Sequence, residues 1–265
     1  MTRTYHSVNI SKEQQEFLKL INDQEVDIFS ISELEELLNF KFVNLNAILE
    51  NLVNKGFLCR IERGKYCRAN FSDEKVIGSF VSGSGAIAYW SALNYHGLTE
   101  QFPNSVFVQT IRIKKSKNIF GVAYKFVQVV PRKFKGLLKE GYGSRIFWIT
   151  DMEKTIIDCF DFPEYSGGYA ELIRAYCDAG LNSEKMISYC KSIDNVAVVK
   201  RLGFLAELLE KKDLKDFISY AKQQVNQRYN VFDPLGIDAG EFVNDWRLRL
   251  NISRDEILDI CNKQY

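Results

Sequence analysis

Only two histidines, His6 and His96, stand among the 265 residues, and none of the six cysteines belongs to a Cys-x-x-Cys pair. Structural zinc is held by four Cys or His side chains at short, recurring spacings, so neither a metal site nor any other cofactor is expected. Cys59, Cys67, Cys159, Cys177, Cys190 and Cys261 are scattered, several among apolar neighbours. Unpaired thiols of this kind fit small core residues in a reducing compartment. No apolar run approaches the roughly 20 residues that a helix needs to cross a bilayer. The opening "MTRTYHSVNI" lacks the apolar centre of a secretion signal. A cytoplasmic protein without a membrane partner is therefore expected. Long linkers and low-complexity segments are absent too, so the modules should pack closely.

The signatures of catalysis are also sparse. Ser84 has a glycine on each side, but Gly83-Ser84-Gly85 is too tight for the Gly-x-Ser-x-Gly elbow of a hydrolase. The same Ser82–Gly85 stretch lacks the Lys-Ser/Thr tail with which a phosphate loop grips nucleotide and metal. His96 precedes Gly97 at a helix end, an ordinary structural position. Asp151, Glu153 and Asp158 gather on one helix and read as capping and ion-pairing groups, with Lys154 and Arg201 as plausible partners. No enzyme is expected.

What is present is concentrated between Phe29 and Arg68, "FSISELEELLNFKFVNLNAILENLVNKGFLCRIERGKYCR". A helix over Ser11–Asp23, with Phe17, Leu18 and Ile21 on its core face, leads into it. Ser32 with Glu35 matches a capping box, and Leu34, Leu37 and Leu38 follow at helical spacing. Asn44 is a good N-cap for a second helix, in which Leu45, Ile48, Leu49 and Leu52 form an apolar stripe that Gly56 ends. Phe57-Leu58 and Ile61 open a strand, Arg63-Gly64 turns it, and Lys65-Tyr66 returns it. Helix, helix and hairpin in this order suit a winged helix-turn-helix.

With its stripe inward, helix Asn44–Lys55 turns Asn46, Ala47, Glu50, Asn51 and Asn54 outward. Asn pairs its amide with adenine in the major groove and Ala touches the thymine methyl, so Asn46, Ala47 and Asn51 are the expected base contacts. Lys41, Lys55, Arg60, Arg63, Lys65 and Arg68 are the expected phosphate contacts. Residues 1–70 carry nine Lys/Arg against ten Asp/Glu, so binding would depend on a polarised surface rather than a basic domain.

Three stretches are expected: 1–72 as the winged domain, 73–165 as a mixed α/β region with a small antiparallel sheet, and 166–265 as mainly helical. The class is α+β. In the middle stretch "SVFVQTIRI", "VAYKFVQVV" and Arg145–Ile149 read as strands, and a helix capped by Thr150 or Asp151 follows. Helices are expected over Tyr169–Ala179, Ser183–Ser192, Val196–Lys211, Leu214–Gln227 and Asp255–Asn262, with a short strand in Asp245–Ser253. Arg112, Lys114, Lys115 and Lys117, then Arg132, Lys133 and Lys135, form a second basic series.

These pieces, in this order, resemble the AbiEi family, the antitoxin component of type IV toxin–antitoxin and abortive-infection systems. The winged stretch is similar to the family's opening domain and "SALNYHGLTEQFPNSVFVQT" to its middle signature. "ITDMEKTIIDCFDFPEYSGGYAEL" is similar to its acidic helix and following glycines, with Lys154 where an arginine is usual. "VVKRLGFLAELL" and, more faintly, "DWRLRLNIS" extend the likeness over most of the chain. The resemblance implies an autoregulatory repressor in phage defence, bound to inverted repeats in its own promoter. It also implies a C-terminal antitoxin region (73–265) and an AbiEii-like nucleotidyltransferase toxin as genetic partner, direct contact not being assumed. A monomer binding adjacent repeats cooperatively is the expected form. The alternatives are a protein-docking module that neutralises a toxin without DNA, and a nucleic-acid-processing enzyme.

Overall fold

The computed structural model describes residues 9–38 and 43–262. The chain is α+β and forms two compact units. The first comprises residues 1–83 with 139–147, the second residues 84–138 with 148–265. This is a different division from the three stretches read along the sequence.

The first unit opens with helix α1, Lys12–Asp23, closed at its N-terminus by a capping box between Ser11 and Gln14. Then come strand β1 (Ile28–Ser30), helix α2 (Ile31–Leu38) and helix α3 (Leu45–Asn54). Strands β2 (Leu58–Glu62) and β3 (Lys65–Arg68) and helix α4 (Glu74–Ser82) complete the run. The sheet order is β1-β3-β2, antiparallel throughout, with Phe29 opposite Tyr66. Phe17, Phe29, Leu34, Leu49, Leu52, Leu58 and Tyr66 fill the core. Phe29 stands with its ring centroid 6.1 Å from Phe17 and 6.0 Å from Tyr66.

Two caps differ from expectation. The box on α2 is formed by Ser30 and Glu33, not Ser32 and Glu35: the Glu33 amide donates to Ser30 Oγ and the Ser30 amide to Glu33 Oε2. Ser-x-x-Glu occurs twice in "SISELE", and strand β1 hands the chain over at Ser30, so the earlier copy is used. Asn44 makes no side-chain cap; it takes φ +65°, the left-handed conformation that Asn tolerates better than most residues. Strand β1 and helix α4 were not foreseen, although Asp73 caps α4 by accepting from the Lys75 and Val76 amides.

The second unit holds strand β4 (Ala86–Ile87), helix α5 (Tyr89–Tyr95) and strands β5 (Val106–Thr110), β6 (Lys117–Ile119) and β7 (Val122–Gln128). Strands β8 (Leu137–Glu140) and β9 (Phe147–Thr150) straddle the division between the units. The expected small antiparallel sheet is instead six-stranded and mixed, in the order β6-β7-β5-β4-β9-β8. Strand β6 takes the outer edge and turns back through Phe120-Gly121, so β7 returns parallel to β5; β4 and β9 are also parallel.

Helices α6 (Met152–Asp161), α7 (Tyr169–Asp178), α8 (Ser183–Ile193), α9 (Val196–Leu208) and α10 (Lys215–Gln223) follow. A three-stranded sheet of β10 (Asn230–Val231), β11 (Glu241–Val243) and β12 (Leu248–Leu250) precedes the last helix, α11 (Arg254–Asn262). The glycine of "RLGFL" is required by packing: a Cβ on Gly203 would lie 2.5 Å from the buried Trp246 ring. Cys177 on α7 and Cys261 on α11, expected as free thiols, form a disulfide with Cα atoms 5.8 Å apart. They lie 84 residues apart, so nothing in their spacing announced the pairing. Among the described residues no helix is long and apolar enough to cross a membrane.

Leu49 is fully buried and Asn46, three residues earlier on α3, is exposed. Leu49→Ala should cost about 2–5 kcal/mol in urea unfolding, and Asn46→Ala less than about 0.5 kcal/mol. Equal losses would mean that α3 is packed the other way round.

Candidate nucleic-acid interface

Helix α3 buries Leu45, Ile48, Leu49 and Leu52 and exposes Asn46, Ala47, Glu50, Asn51 and Asn54. Its apolar positions recur every three to four residues, so burying them against the core leaves one continuous polar face. Gly56, at φ +77°, then takes the left-handed turn into β2. The β2–β3 hairpin turns at Arg63-Gly64, with Gly64 at φ +75°, and its register shifts between Arg60 and Glu62. Such an irregularity bends a strand and increases its twist.

The six cations expected on this surface do not share one role. Arg60 and Arg63 are exposed and form no hydrogen bond or ion pair with the described residues. Lys65 is committed: its Nζ donates to the Phe80 carbonyl at 2.9 Å and the Val81 carbonyl at 3.2 Å, pairs with Glu62 at 3.0 Å, and lies 5.0 Å from the Phe80 ring centre. A cation on the last carbonyls of α4 meets the negative end of that helix dipole. Lys55 donates to the Asn9 carbonyl at 2.6 Å and Gln14 Oε1 at 2.8 Å. Arg68 Nε donates to the Val26 carbonyl and Nη2 to the Ile21 carbonyl, both at 2.9 Å, while the guanidinium pairs with Asp27 at 3.1 Å. Lys55, Lys65 and Arg68 thus tie helix ends and strands together within the unit. Lys41 lies outside the described residues.

Asp27 also shows what sequence reading missed. Its amide donates to Ser144 Oγ at 2.9 Å, Ser144 Oγ donates to the Glu25 carbonyl at 3.2 Å, and Arg145 forms a second ion pair with the Asp27 carboxylate. These partners stand more than 110 residues along the chain, beyond the reach of any local pattern.

In the second unit the acidic helix is a network of satisfied charges. The Lys154 ammonium, fully buried, donates to Asp158 one turn later, and Gln109 Nε2 donates to the same carboxylate at 2.9 Å and to Tyr89 Oη at 3.1 Å. Burial pushes the Asp158 carboxyl up, and the Lys154 charge and the Gln109 amide pull it back. Asp151 caps α6 through the Lys154 amide and accepts from Lys185 and Tyr189. Glu153 accepts from the Asn182 amide and Lys185. Of the two partners considered for Asp158, Lys154 is the one used; Arg201 instead donates to the Val231 carbonyl at 2.9 and 3.1 Å. His96 Nε2 donates to the Thr150 carbonyl at 2.7 Å, and Ser91 Oγ bridges the Phe107 amide and the Ser105 carbonyl. Each of these groups has a hydrogen-bond or ion-pair partner within the unit.

No protein-family model and no curated protein matches the chain. Among solved structures, it is similar to the crystal structure of the RV2827C protein from Mycobacterium tuberculosis. The TM-score is 0.67 at 10% identity, over 97% of each chain. Identity at that level establishes a shared α+β fold and nothing of function.

Two measurements test these assignments. Removing one member of a buried ion pair strands the other, at about 3–5 kcal/mol. Lys154→Met should therefore be strongly destabilising in chemical unfolding, and the double change Lys154→Met, Asp158→Leu much less so; an additive double variant would show that the pair is not coupled. Lys200, buried, donates to the Arg228 carbonyl at 2.6 Å. Burial, then Arg201, Arg228 and Arg247, pulls its ammonium down to about 8. Between pH 8 and the ordinary lysine value the unfolded chain therefore holds a proton that the folded chain has shed. The Lys200 contribution to stability should rise across that window. The difference between wild type and Lys200→Met in urea midpoints at pH 7.5, 9 and 10.5 should record it, and a difference independent of pH would refute it.

Proposed function

We propose that the first unit is a winged helix-turn-helix, with α3 as its recognition helix and the β2–β3 hairpin as its wing. The protein is then a DNA-binding repressor that reads inverted repeats in its own promoter. The observation that carries this reading is the continuous exposed face of Asn46, Ala47, Glu50, Asn51 and Asn54 on a helix followed directly by a hairpin. That hairpin carries Arg60 and Arg63 without a partner among the described residues. The order helix, strand, helix, helix, hairpin and the sheet order β1-β3-β2 support it. In this geometry the amides of Asn46 and Asn51 meet adenine edges, Ala47 meets a thymine methyl, and Arg60 and Arg63 hold phosphates. Lys55, Lys65 and Arg68 support the reading elements from within rather than touching the backbone.

The sequence resemblance to AbiEi extends the proposal. The second unit serves antitoxicity against a nucleotidyltransferase-like toxin encoded beside it, in a phage-defence operon, and the protein binds as a monomer, cooperatively over adjacent repeats. Co-expression with the neighbouring gene product, and the disappearance of its toxicity, is the measurement for that half.

For the DNA half, binding to the upstream repeats is titrated with salt. Arg60→Ala with Arg63→Ala should weaken binding on every sequence and lower the slope of log K against log[salt] by about 2, near 0.9 for each phosphate that is no longer neutralised. Asn51→Ala should leave the slope alone and reduce discrimination at one base pair by about 1–3 kcal/mol. An unchanged slope would take the hairpin out of the interface, and unchanged discrimination would take out α3.

A further inference from the structure

The charge of this protein is evenly balanced over the whole chain, with 35 Lys/Arg and 34 Asp/Glu, but not along it. From Gln101 to Leu138 there are eight Lys/Arg and no Asp or Glu. All of this stretch belongs to the second unit. Its fold brings the two basic runs together. Strands β5 and β7 are parallel and in register from Val106 opposite Tyr124 to Thr110 opposite Gln128, so the chain leaves both at the same end of the sheet. The first exit is the loop from Ile111 to Ser116. The second is the segment through Val130 and the turn Pro131–Lys133 to Gly136. Two hydrogen bonds hold the exits side by side: the Val129 amide donates to the Thr110 carbonyl at 2.9 Å, and Gln128 Nε2 to the Ile111 carbonyl at 3.2 Å.

Acids from outside the stretch neutralise some of this charge. Lys133 pairs with Asp161 at 2.6 Å and lies 5.3 Å from the Phe162 ring centre, and Arg132 pairs with Asp194 at 2.9 Å. The Lys114 ammonium lies 5.4 Å from the Phe126 ring centre. Arg112, Lys115 and Lys135 are exposed and form no ion pair or side-chain hydrogen bond with the described residues. Ser116, next to Lys115 in the loop, and Gln128, at the end of β7, are exposed hydroxyl and amide groups at the same end. Cations mixed with neutral polar groups, with the neighbouring Asp161 and Asp194 already paired to Lys133 and Arg132, are what phosphate oxygens select.

We infer that this end of the sheet is a second nucleic-acid surface, which takes the phosphodiester backbone through Arg112, Lys115 and Lys135 without reading sequence. The inference goes beyond the promoter reading and does not need it, because no operator is involved. Its share of binding is electrostatic and salt-dependent, and it adds affinity rather than specificity.

The test uses the full chain carrying Arg60→Ala and Arg63→Ala, so that the first unit contributes little backbone binding. Two probes are used: a 20-base-pair duplex of arbitrary sequence and a 20-nucleotide oligouridylate. Adding Arg112→Glu, Lys115→Glu and Lys135→Glu should weaken one or both at least about tenfold at 0.1 M salt. It should also lower the salt slope by about 2 to 3. The probe that responds distinguishes DNA from RNA. A matched variant with Lys191→Glu, Lys212→Glu and Lys215→Glu, exposed positions of the same unit, should change neither probe. Three results would overturn the inference: neither probe responds; the matched variant weakens as much; or polyglutamate of similar length binds as tightly as the nucleic acids and is released by the same three changes. Failure of the Arg60 and Arg63 changes to affect operator binding would count against the promoter reading alone.

Discussion

The first unit closes on one carboxylate. Asp27, at the entry to β1, receives Arg68 from the end of β3 and Arg145 from residues 139–147, while its amide is held by Ser144. Arg68 also satisfies the Ile21 carbonyl in the last turn of α1 and the Val26 carbonyl just before β1. A half-buried acid with two arginines joins the last turn of the first helix, the edge of the sheet and a distant segment of chain. Remove the acid, and two guanidinium groups are left close together without a counter-charge. Exposed pairs contribute little to stability, but a shared carboxylate with fixed backbone partners is a cross-brace.

A second brace of the same logic operates at Lys65. A lysine in an exposed hairpin is a natural choice for a phosphate, yet here its ammonium finishes α4 by taking carbonyls that the helix cannot satisfy itself. The cations of the hairpin therefore divide by position. Those facing the body of the unit hold it together, and those at Arg60 and near the tip, Arg63, remain outward. The positive charge available to a ligand is smaller than the count of basic residues suggests, which fits a unit that is not basic overall.

Much of α3 was legible in the sequence because its information is local. Leu45, Ile48, Leu49 and Leu52 specify the buried face by period alone, and Gly56 and Gly64 mark the turns where a left-handed residue is required. Strand β1 was hidden because its three residues run without a break into the apolar pattern of α2. The six-stranded sheet was hidden because β4 is two residues long, and because parallel pairing of β5 with β7 depends on the path of β6. The roles of Lys55, Lys65 and Arg68 were invisible for a different reason: most of their partners are backbone oxygens, which every residue supplies and no sequence marks. The pairing of Lys154 with Asp158 could be read, being one helical turn apart; that of Asp27 with Arg145 could not.

The recruitment of residues 139–147 has a consequence for how the protein is made. A nascent chain emerging from the ribosome presents α1 to α4 early, but it cannot seat Ser144 and Arg145 against Asp27 until much of the sheet has also been synthesised. The amino-terminal portion must therefore wait in an unbraced form during translation, although domains commonly mature in the order they are made. Inheritance is constrained in the same way: exchange of this portion between related genes by a single recombination crossover would separate Asp27 from the segment that completes it.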